Sequence, residues 1–392
     1  MIAPKILFIG HDAGRTGAPF VLLNLLKWLK SNTTIPFEVL LRQGGALEPE
    51  FCKLAPTYRL HGWHSRFSLK GMARKVWPKG KTWARPARMG QLRNRRDWGL
   101  VYSNTITNGG ILADLNGCGC PVISHVHELE YWIERCGPEN LAQIKRCSTH
   151  YIAAAEAVKT NLVRTHGIAG ERITVVHPFI PGEVPKTPGV PSSEIRAKLG
   201  IPPDAFVLGG SGAEFWRKGR DLVAHLLFIL GRRASEREFH FIWVGYKGTK
   251  MENHELWYDL KQAGVADRYH ETGEVSNPSD YFAALDAFVL PSREDPFPLV
   301  CLEAALLGKP VLCFAKAGGM PEFVGADAGF VVPYLDMATL AEKVILLSQS
   351  RELQTRLGQC AADRVKACHT VDNTAPKLLG IINQFRLREN SL

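Results

Sequence analysis

The sequence predicts an α/β protein of two Rossmann-like domains facing across a cleft, followed by C-terminal helices. Three observations carry that reading. Short apolar runs of strand length alternate with longer segments of helical periodicity in both halves of the chain. Glycine-bearing loops follow some of these runs, as in residues 11–17 and 209–219. Between the halves, Pro178 to Pro191 carries five prolines with Gly182 and Gly189 among them, the composition of an exposed connection.

Lys5 to Ile9 is an apolar run suited to a strand buried on both faces. A loop containing Gly14 and Gly17 follows, and Pro19 sits where a first-turn proline belongs. Asn24, Lys27 and Lys30 then recur every three residues, leaving a broad apolar helical face. Further strands are expected at 38–41, 99–103 and 121–125. The domain boundary falls near residue 182, so the first domain is 1–181. In the second domain, 182–372, strands are expected at 206–209, 239–244, 287–290, 310–314 and 329–332. Helices are expected near 221–230, 253–263, 279–285, 299–307 and 337–348. The tail from Arg351 to Arg388 reads as two or three helices, with 373–392 packing back on the first domain. In open parallel sheets the ligand site lies beyond the C-terminal ends of the strands.

The 392 residues suffice for two or three domains, and 45% apolar with 22% charged residues is ordinary for a globular chain. The net charge of +10 is localised. Residues 59–96 hold twelve Lys/Arg and no acid, so the remainder, with 36 cations and 38 anions, has a net charge of −2. This excludes a protein coated with basic residues throughout. No apolar stretch approaches the roughly 18 residues of a membrane span, since Asn24 and Lys27 interrupt the run from Phe20 to Leu29. The N-terminus lacks the order of a secretory signal. Nine cysteines, with no second pair to match Cys118-Gly-Cys120, read as reduced cytosolic thiols rather than a metal site.

Pro291-Ser-Arg-Glu-Asp-Pro-Phe-Pro-Leu-Val-Cys-Leu-Glu-Ala304 runs from the end of a strand through a proline-bearing turn into a helix. Free N–H groups at such a helix start can hold phosphate oxygens, and nearby carboxylates can grip sugar hydroxyls. A capped helix with a solvated glutamate is the plain alternative. The apolar neighbours of Glu303, namely Cys301, Leu302, Ala304 and Ala305, argue against it, because an unpaired carboxylate there would be costly. A second motif, Gly209-Gly-Ser-Gly-Ala-Glu-Phe-Trp-Arg-Lys-Gly219, puts Arg217 and Lys218 on a loop after a strand. These cations could clamp a diphosphate and neutralise a leaving group; a pair of solvated charges is the alternative.

Together with Gly308-Lys-Pro-Val311 and Gly318-Gly-Met-Pro-Glu322, the stretch Asp295 to Glu303 resembles the donor-binding core of retaining glycosyltransferases of family 4, bacterial surface-polysaccharide type, which have the GT-B fold. The family has two acids separated by seven residues, and Asp295 and Glu303 match that spacing. The first acid is usually Glu; here it is Asp, with Glu294 just before it, so either acid could contact the donor sugar. The resemblance implies that Glu303 binds the nucleotide ribose. It implies that the turn containing Phe297, Pro298 and Leu299 meets the transferred sugar and diphosphate. The family's commoner arginine would fall on Ala213, so the clamp is assigned to Arg217 and Lys218 together.

Pro121-Val-Ile-Ser-His-Val-His-Glu128 is an apolar strand ending in two histidines and an acid. His127 matches the family position that touches the donor sugar or its phosphate, while His125 reads as structural. The loop Gly14-Arg-Thr-Gly17 lacks a phosphate-loop lysine; Gly17 is its candidate for backbone approach to the diphosphate, and a tight turn is the alternative. Val244-Gly-Tyr246 resembles the family's strand end near the nucleotide, and Thr272-Gly-Glu-Val275 the loop beside the base. The resemblance implies a sugar transfer from a nucleotide-diphosphate sugar to a glycan or lipid-linked acceptor, without metal or other cofactor. A nucleotide-sugar epimerase, a glycan phosphorylase and a catalytically silent scaffold are the competing functions.

The resemblance does not cover residues 59–96, where Trp63, Phe67, Trp77 and Trp83 interleave the cations. An anionic membrane surface holding a lipid-linked acceptor is the leading target. Nucleic acid is not expected, because no recognition fold accompanies the segment. These readings place the protein in the cytoplasm, peripheral to the inner face of the membrane.

Overall fold

A computed structural model describes residues 4–60, 84–182, 189–212, 216–245 and 248–386. The chain divides into two units, Met1–His177 with Val371–Leu392, and Pro178–Thr370. These limits lie a few residues before the expected 182 and 373. The two connecting segments run side by side: Ile180 bridges Thr370, and the Ile180 N–H donates to the His369 carbonyl at 3.0 Å.

Unit 1 is built on an eight-stranded sheet in which every neighbouring pair is parallel. Its strands are β1 (Lys5–Gly10), β2 (Phe37–Leu41), β3 (Thr57–Leu60), β4 (Arg85–Ala87), β5 (Trp98–Ser103), β6 (Val122–Val126), β7 (His150–Ala153) and β8 (Ile173–Val175). The order is β4-β3-β2-β1-β5-β6-β7-β8. Central β1 is paired on both sides, and Ile6 to Ile9 are fully buried, which is why an uninterrupted apolar run stands there. The helix Gly17–Asn32 turns Val21, Leu22, Leu25, Leu26 and Leu29 inward and leaves Lys27 and Lys30 exposed. Helix Val371–Arg386 packs against that helix and β5.

Four strands escaped the sequence reading of this half: β3, β4, β7 and β8 are only three or four residues long. Two of them change the reading of the basic segment, whose residues 59–60 end β3 and whose residues 85–87 form β4, the neighbouring strands at one edge of the sheet. Arg59 pairs with Glu48 at 3.2 Å, and Arg95 pairs with Glu38 at 2.7 Å. These two cations neutralise acids that lie outside the segment. Trp63, Phe67, Trp77 and Trp83 lie outside the described residues.

Unit 2 is built on a six-stranded, all-parallel sheet of β9 (Phe206–Gly212), β10 (Phe239–Gly245), β11 (Tyr269–Gly273), β12 (Ala287–Leu290), β13 (Val311–Phe314) and β14 (Gly329–Val332), in the order β11-β10-β9-β12-β13-β14. Edge strand β11 reads Tyr-His-Glu-Thr-Gly and has no apolar run to announce it. The order reverses between β9 and β12, and in unit 1 between β1 and β5. Loops that leave neighbouring strands to opposite faces open a crevice at such points. Among the described residues, no helix is long and apolar enough to cross a membrane.

One buried acid fastens the N-terminal ends of three strands of unit 1. Glu38 on β2 accepts from Lys5 Nζ of β1 at 3.0 Å, Trp98 Nε1 of β5 at 3.3 Å and the Arg95 guanidinium at 2.7 and 3.0 Å. Glu38→Ala orphans these donors and is expected to cost about 3 kcal/mol, read as a lower midpoint in urea unfolding.

Candidate functional site

The loops that leave β9 and β12 are bound to each other. The Arg293 N–H donates to the Arg217 carbonyl at 2.8 Å, and Arg217 Nη1 donates to the Glu294 carbonyl at 2.8 Å. Lys218 Nζ pairs with the Asp295 carboxylate. Arg293 grips Asp221 through two bonds of 2.8 and 2.7 Å. Gly219 has φ +70°, and a Cβ there would collide with the Pro291 carbonyl oxygen, so only glycine lets the two backbones abut. The loop after β13 joins them: the Asp295 N–H donates to the Ala317 carbonyl at 2.6 Å, and Gly319 N–H to Pro296 at 2.8 Å. Gly318, at φ +141°, lies directly on the Asp295 carbonyl.

Asp295 is buried, and its carboxylate takes both Lys218 and the Ser292 hydroxyl, the latter at 3.3 Å. Pro298 caps the helix Leu299–Leu306 with no side-chain bond, and the N–H groups of Leu299 and Val300 have no partner among the described residues. Glu303, one turn further on, is half-buried and makes no hydrogen bond or ion pair among the described residues. Burial pushes its carboxyl up to about 6. This is a partly desolvated carboxylate without a donor among the described residues. The Phe297 ring is committed elsewhere: it is buried and stacks on His369 at 5.4 Å.

Arg220, unremarked in the sequence, is fully buried beneath this site. Its Nε donates to the Tyr269 hydroxyl at 2.7 Å, and its guanidinium pairs with Glu271. It ties the turn carrying Arg217 and Lys218 to β11, whose end leads through Gly273 to the half-buried Val275. Tyr246 and Ala213 lie outside the described residues.

In unit 1 a second cluster forms where β1, β5 and β6 end. The Asn104 N–H donates to the Ile9 carbonyl at 2.9 Å, and its side-chain amide donates to the Ala18 carbonyl at 2.8 Å. That bond orients the amide, so Asn104 Oδ1 faces His127 Nε2 at 3.1 Å and must accept from it. Burial, and then His11, push the His127 ring down to about 3. The imidazole is therefore neutral near pH 7, with Nδ1 as its acceptor. Glu128 holds the corner by accepting from the Thr105 hydroxyl and from the N–H groups of Ile106 at 3.1 Å and His127 at 2.9 Å. His125 bonds the Tyr102 hydroxyl at 2.7 Å and is buried. Gly17 is exposed at the start of its helix, and an added Cβ would meet nothing within 4 Å. The fold itself therefore does not require glycine at that position.

Residues 191–364 match the model of the family described as Glycosyl transferases group 1. The second unit matches this glycosyltransferase family. D-inositol 3-phosphate glycosyltransferase of Streptomyces bingchenggensis is 31% identical over 227 residues, 56% of this chain and 50% of the relative. D-inositol 3-phosphate glycosyltransferase 1 of Catenulispora acidiphila is 29% identical over 275 residues, 65% of each chain. The chain thus spans one half to two thirds of the length of these curated relatives. The crystal structure of Anabaena Alr3699/HepE in complex with UDP-glucose superposes with a TM-score of 0.78 at 21% identity, covering 97% of this chain and all of that one. WaaG, a glycosyltransferase involved in lipopolysaccharide biosynthesis, gives 0.65 at 15% identity, covering 96% and 99%. At these identities the likeness is one of fold: two parallel-sheet Rossmann-like units of the GT-B glycosyltransferase type.

Within the matched glycosyltransferase region lie Arg217, Lys218, Val275, Glu294, Asp295, Phe297, Pro298, Leu299 and Glu303. Contacts join Arg217 to Glu294 and Lys218 to Asp295. Asn104 and Arg220 carry no motif of their own and were not read from the sequence; their place at strand ends and in the core identifies them only once the sheets are assembled.

The raised carboxyl of Glu303 sets a pH signature. Its folded value lies above the ordinary 4.5, so this group favours the folded state below about pH 4.5, and that contribution is lost as the pH rises through about 6. The difference is about 2 kcal/mol. Glu303→Gln is expected to gain stability relative to wild type across that window and to hold the gain at pH 7.5. Thermal unfolding between pH 4 and 8 checks this, and parallel pH profiles would contradict it.

Proposed function

We propose that this protein is a retaining glycosyltransferase that moves a sugar from a nucleotide-diphosphate sugar to a hydroxyl of a glycan or lipid-linked acceptor. The observation that carries this reading is Glu303, a half-buried carboxylate with no donor among the described residues, one turn into a helix whose first N–H groups also have no partner among them. A ribose supplies two hydroxyl donors to a carboxylate, and a diphosphate supplies acceptors for N–H groups. The match to the group 1 family supports the reaction class, and the UDP-glucose complex of HepE makes UDP-glucose the first donor to test.

In this reading Arg217, Lys218 and the N–H groups of Leu299 and Val300 stabilise the departing diphosphate, aided by the helix dipole. No metal or other cofactor is assigned a role. Lys218 arrives held by Asp295, so its position is fixed before a phosphate reaches it. Neutral His127 offers its Nδ1 to a sugar hydroxyl. Together with Asp295, it would steady positive charge developing at the anomeric carbon. Departure on the face from which the acceptor attacks would retain the anomeric configuration. Gly17 and Val275 are assigned to backbone approach and to the base; the role of Tyr246 as a nucleotide contact rests on the motif alone. The assigned workplace is the cytoplasmic face of an anionic membrane, with residues 59–96 as the attracting segment.

Three experiments test these statements. Glu303→Ala should abolish binding of UDP and UDP-glucose in calorimetry while leaving the circular dichroism of the wild type, and wild-type turnover in that variant would remove the site assignment. Lys218→Ala should lower the transfer rate by about 10²–10³. Flotation with vesicles containing an anionic lipid should recover the protein at low salt and lose it at high salt. Exchange of Lys70, Lys75, Lys79 and Lys81 for Glu should abolish recovery; unchanged flotation would refute the membrane role.

A further inference from the structure

Arg42 follows β2 and was not singled out by any motif. It is half-buried, yet it forms no ion pair among the described residues. Among the described residues, its guanidinium makes one hydrogen bond, from Nη1 to the Thr107 carbonyl at 3.1 Å. Among the described residues, buried Nε donates to nothing and Nη2 has no partner. Nε and Nη2 form one edge of the guanidinium, the edge that accepts two oxygens of a carboxylate or phosphate side-on.

The acids whose fields reach Arg42, Asp12 and Glu128, are occupied elsewhere. Asp12 Oδ1 accepts the Gly14 N–H at 2.8 Å, and Oδ2 faces His11 Nε2 at 3.5 Å. Glu128 accepts from Thr105, Ile106 and His127. His11, within electrostatic reach of Arg42, has a buried Nδ1 without a partner among the described residues. The backbone that carries these groups is tied down. Arg42 N–H donates to the Gly10 carbonyl, Gln43 to His11 and Leu47 to Ala13, at 3.0, 3.0 and 2.8 Å. An uncompensated, partly desolvated guanidinium on a fixed backbone costs stability unless an anion completes it.

We propose that Arg42, with His11 beside it, is the subsite for an anionic group on the acceptor, so that the acceptor is a phosphate- or carboxylate-bearing molecule rather than a neutral glycan. The acceptor assignment rests on the glycosyltransferase reading; the anion site itself does not. The same chemistry could come from the donor's diphosphate, and the experiment separates the two sources.

Thermal unfolding of the full chain is followed against inorganic phosphate and acetate, each compared with chloride at equal ionic strength. Phosphate or acetate should raise the Tm saturably in the wild type. Arg42→Gln should abolish the rise, and Arg42→Lys, which keeps the charge but not the fork, should weaken it at least tenfold. UDP affinity, measured by calorimetry on the same proteins, should be the same in all three. With UDP-glucose as donor, a phosphorylated sugar should be glycosylated in preference to its unphosphorylated form, and Arg42→Lys should lose that preference.

A Tm that follows ionic strength alone would overturn the anion site; should Arg42→Gln fail to fold, that wild-type arm and the Lys variant still decide. A loss of UDP affinity matching the loss of phosphate binding would assign the anion to the donor and overturn the acceptor class. Absence of binding in the wild type to UDP, GDP, ADP and TDP alike would instead refute the glycosyltransferase reading, with the phosphate arm standing by itself.

Discussion

At the reversal of strand order in unit 2, the loops leaving β9 and β12 meet backbone to backbone, and the Lys218–Asp295 pair crosses that seam. The contact requires glycine at 219, because any Cβ would occupy the position of the Pro291 carbonyl oxygen. Gly318 imposes the same condition on the other side of Asp295. Three loops from three strands are thereby locked to one another before any ligand is present. The cations of the first loop, the turn of the second and the free helix start behind it then have fixed relative positions. Preorganisation of this kind lets charges stabilise a leaving group without reorganising during reaction.

The same arrangement explains a division of labour between the two acids of the motif. Asp295 is buried, and its Oδ2 takes both Lys218 and Ser292. Glu303 spends no oxygen on the described residues and bears the desolvation cost alone, which moves its proton affinity upward. One acid holds the loop; the other is left available. Unit 1 shows a comparable contrast among its charged and ionisable groups. Glu128 and Asp12 are consumed by backbone and side-chain donors, while one edge of Arg42 meets no acceptor among the described residues.

The alternation of apolar runs and helical periods made the α/β class legible, because strands buried on both faces must be continuously apolar. β1, β12 and β13 have that character, and so does β10 apart from His240. Strands β3, β4 and β11 are edge or near-edge elements with polar faces. Their pairing is dictated by a neighbour rather than by their own composition, so no run announces them. The charge count of residues 59–96 was equally plain. That Arg59 and Arg95 serve Glu48 and Glu38 was not, since their partners stand outside the segment.

For the site, the sequence determined the chemistry present on each loop: adjacent cations at 217 and 218, acids at 295 and 303, and a histidine at the end of β6. Local order sufficed there, because each motif lies within one strand-to-helix turn. Tertiary structure alone decided which of these groups are already spent. Phe297 goes to the core against His369, Asp295 to Lys218, and His127 to a neutral ring fixed by Asn104. It also exposed the edge of Arg42 that meets no acceptor among the described residues. Whether a charge is compensated depends on residues brought near it by the sheet, 65 positions away in the case of Thr107, and linear spacing holds no record of that.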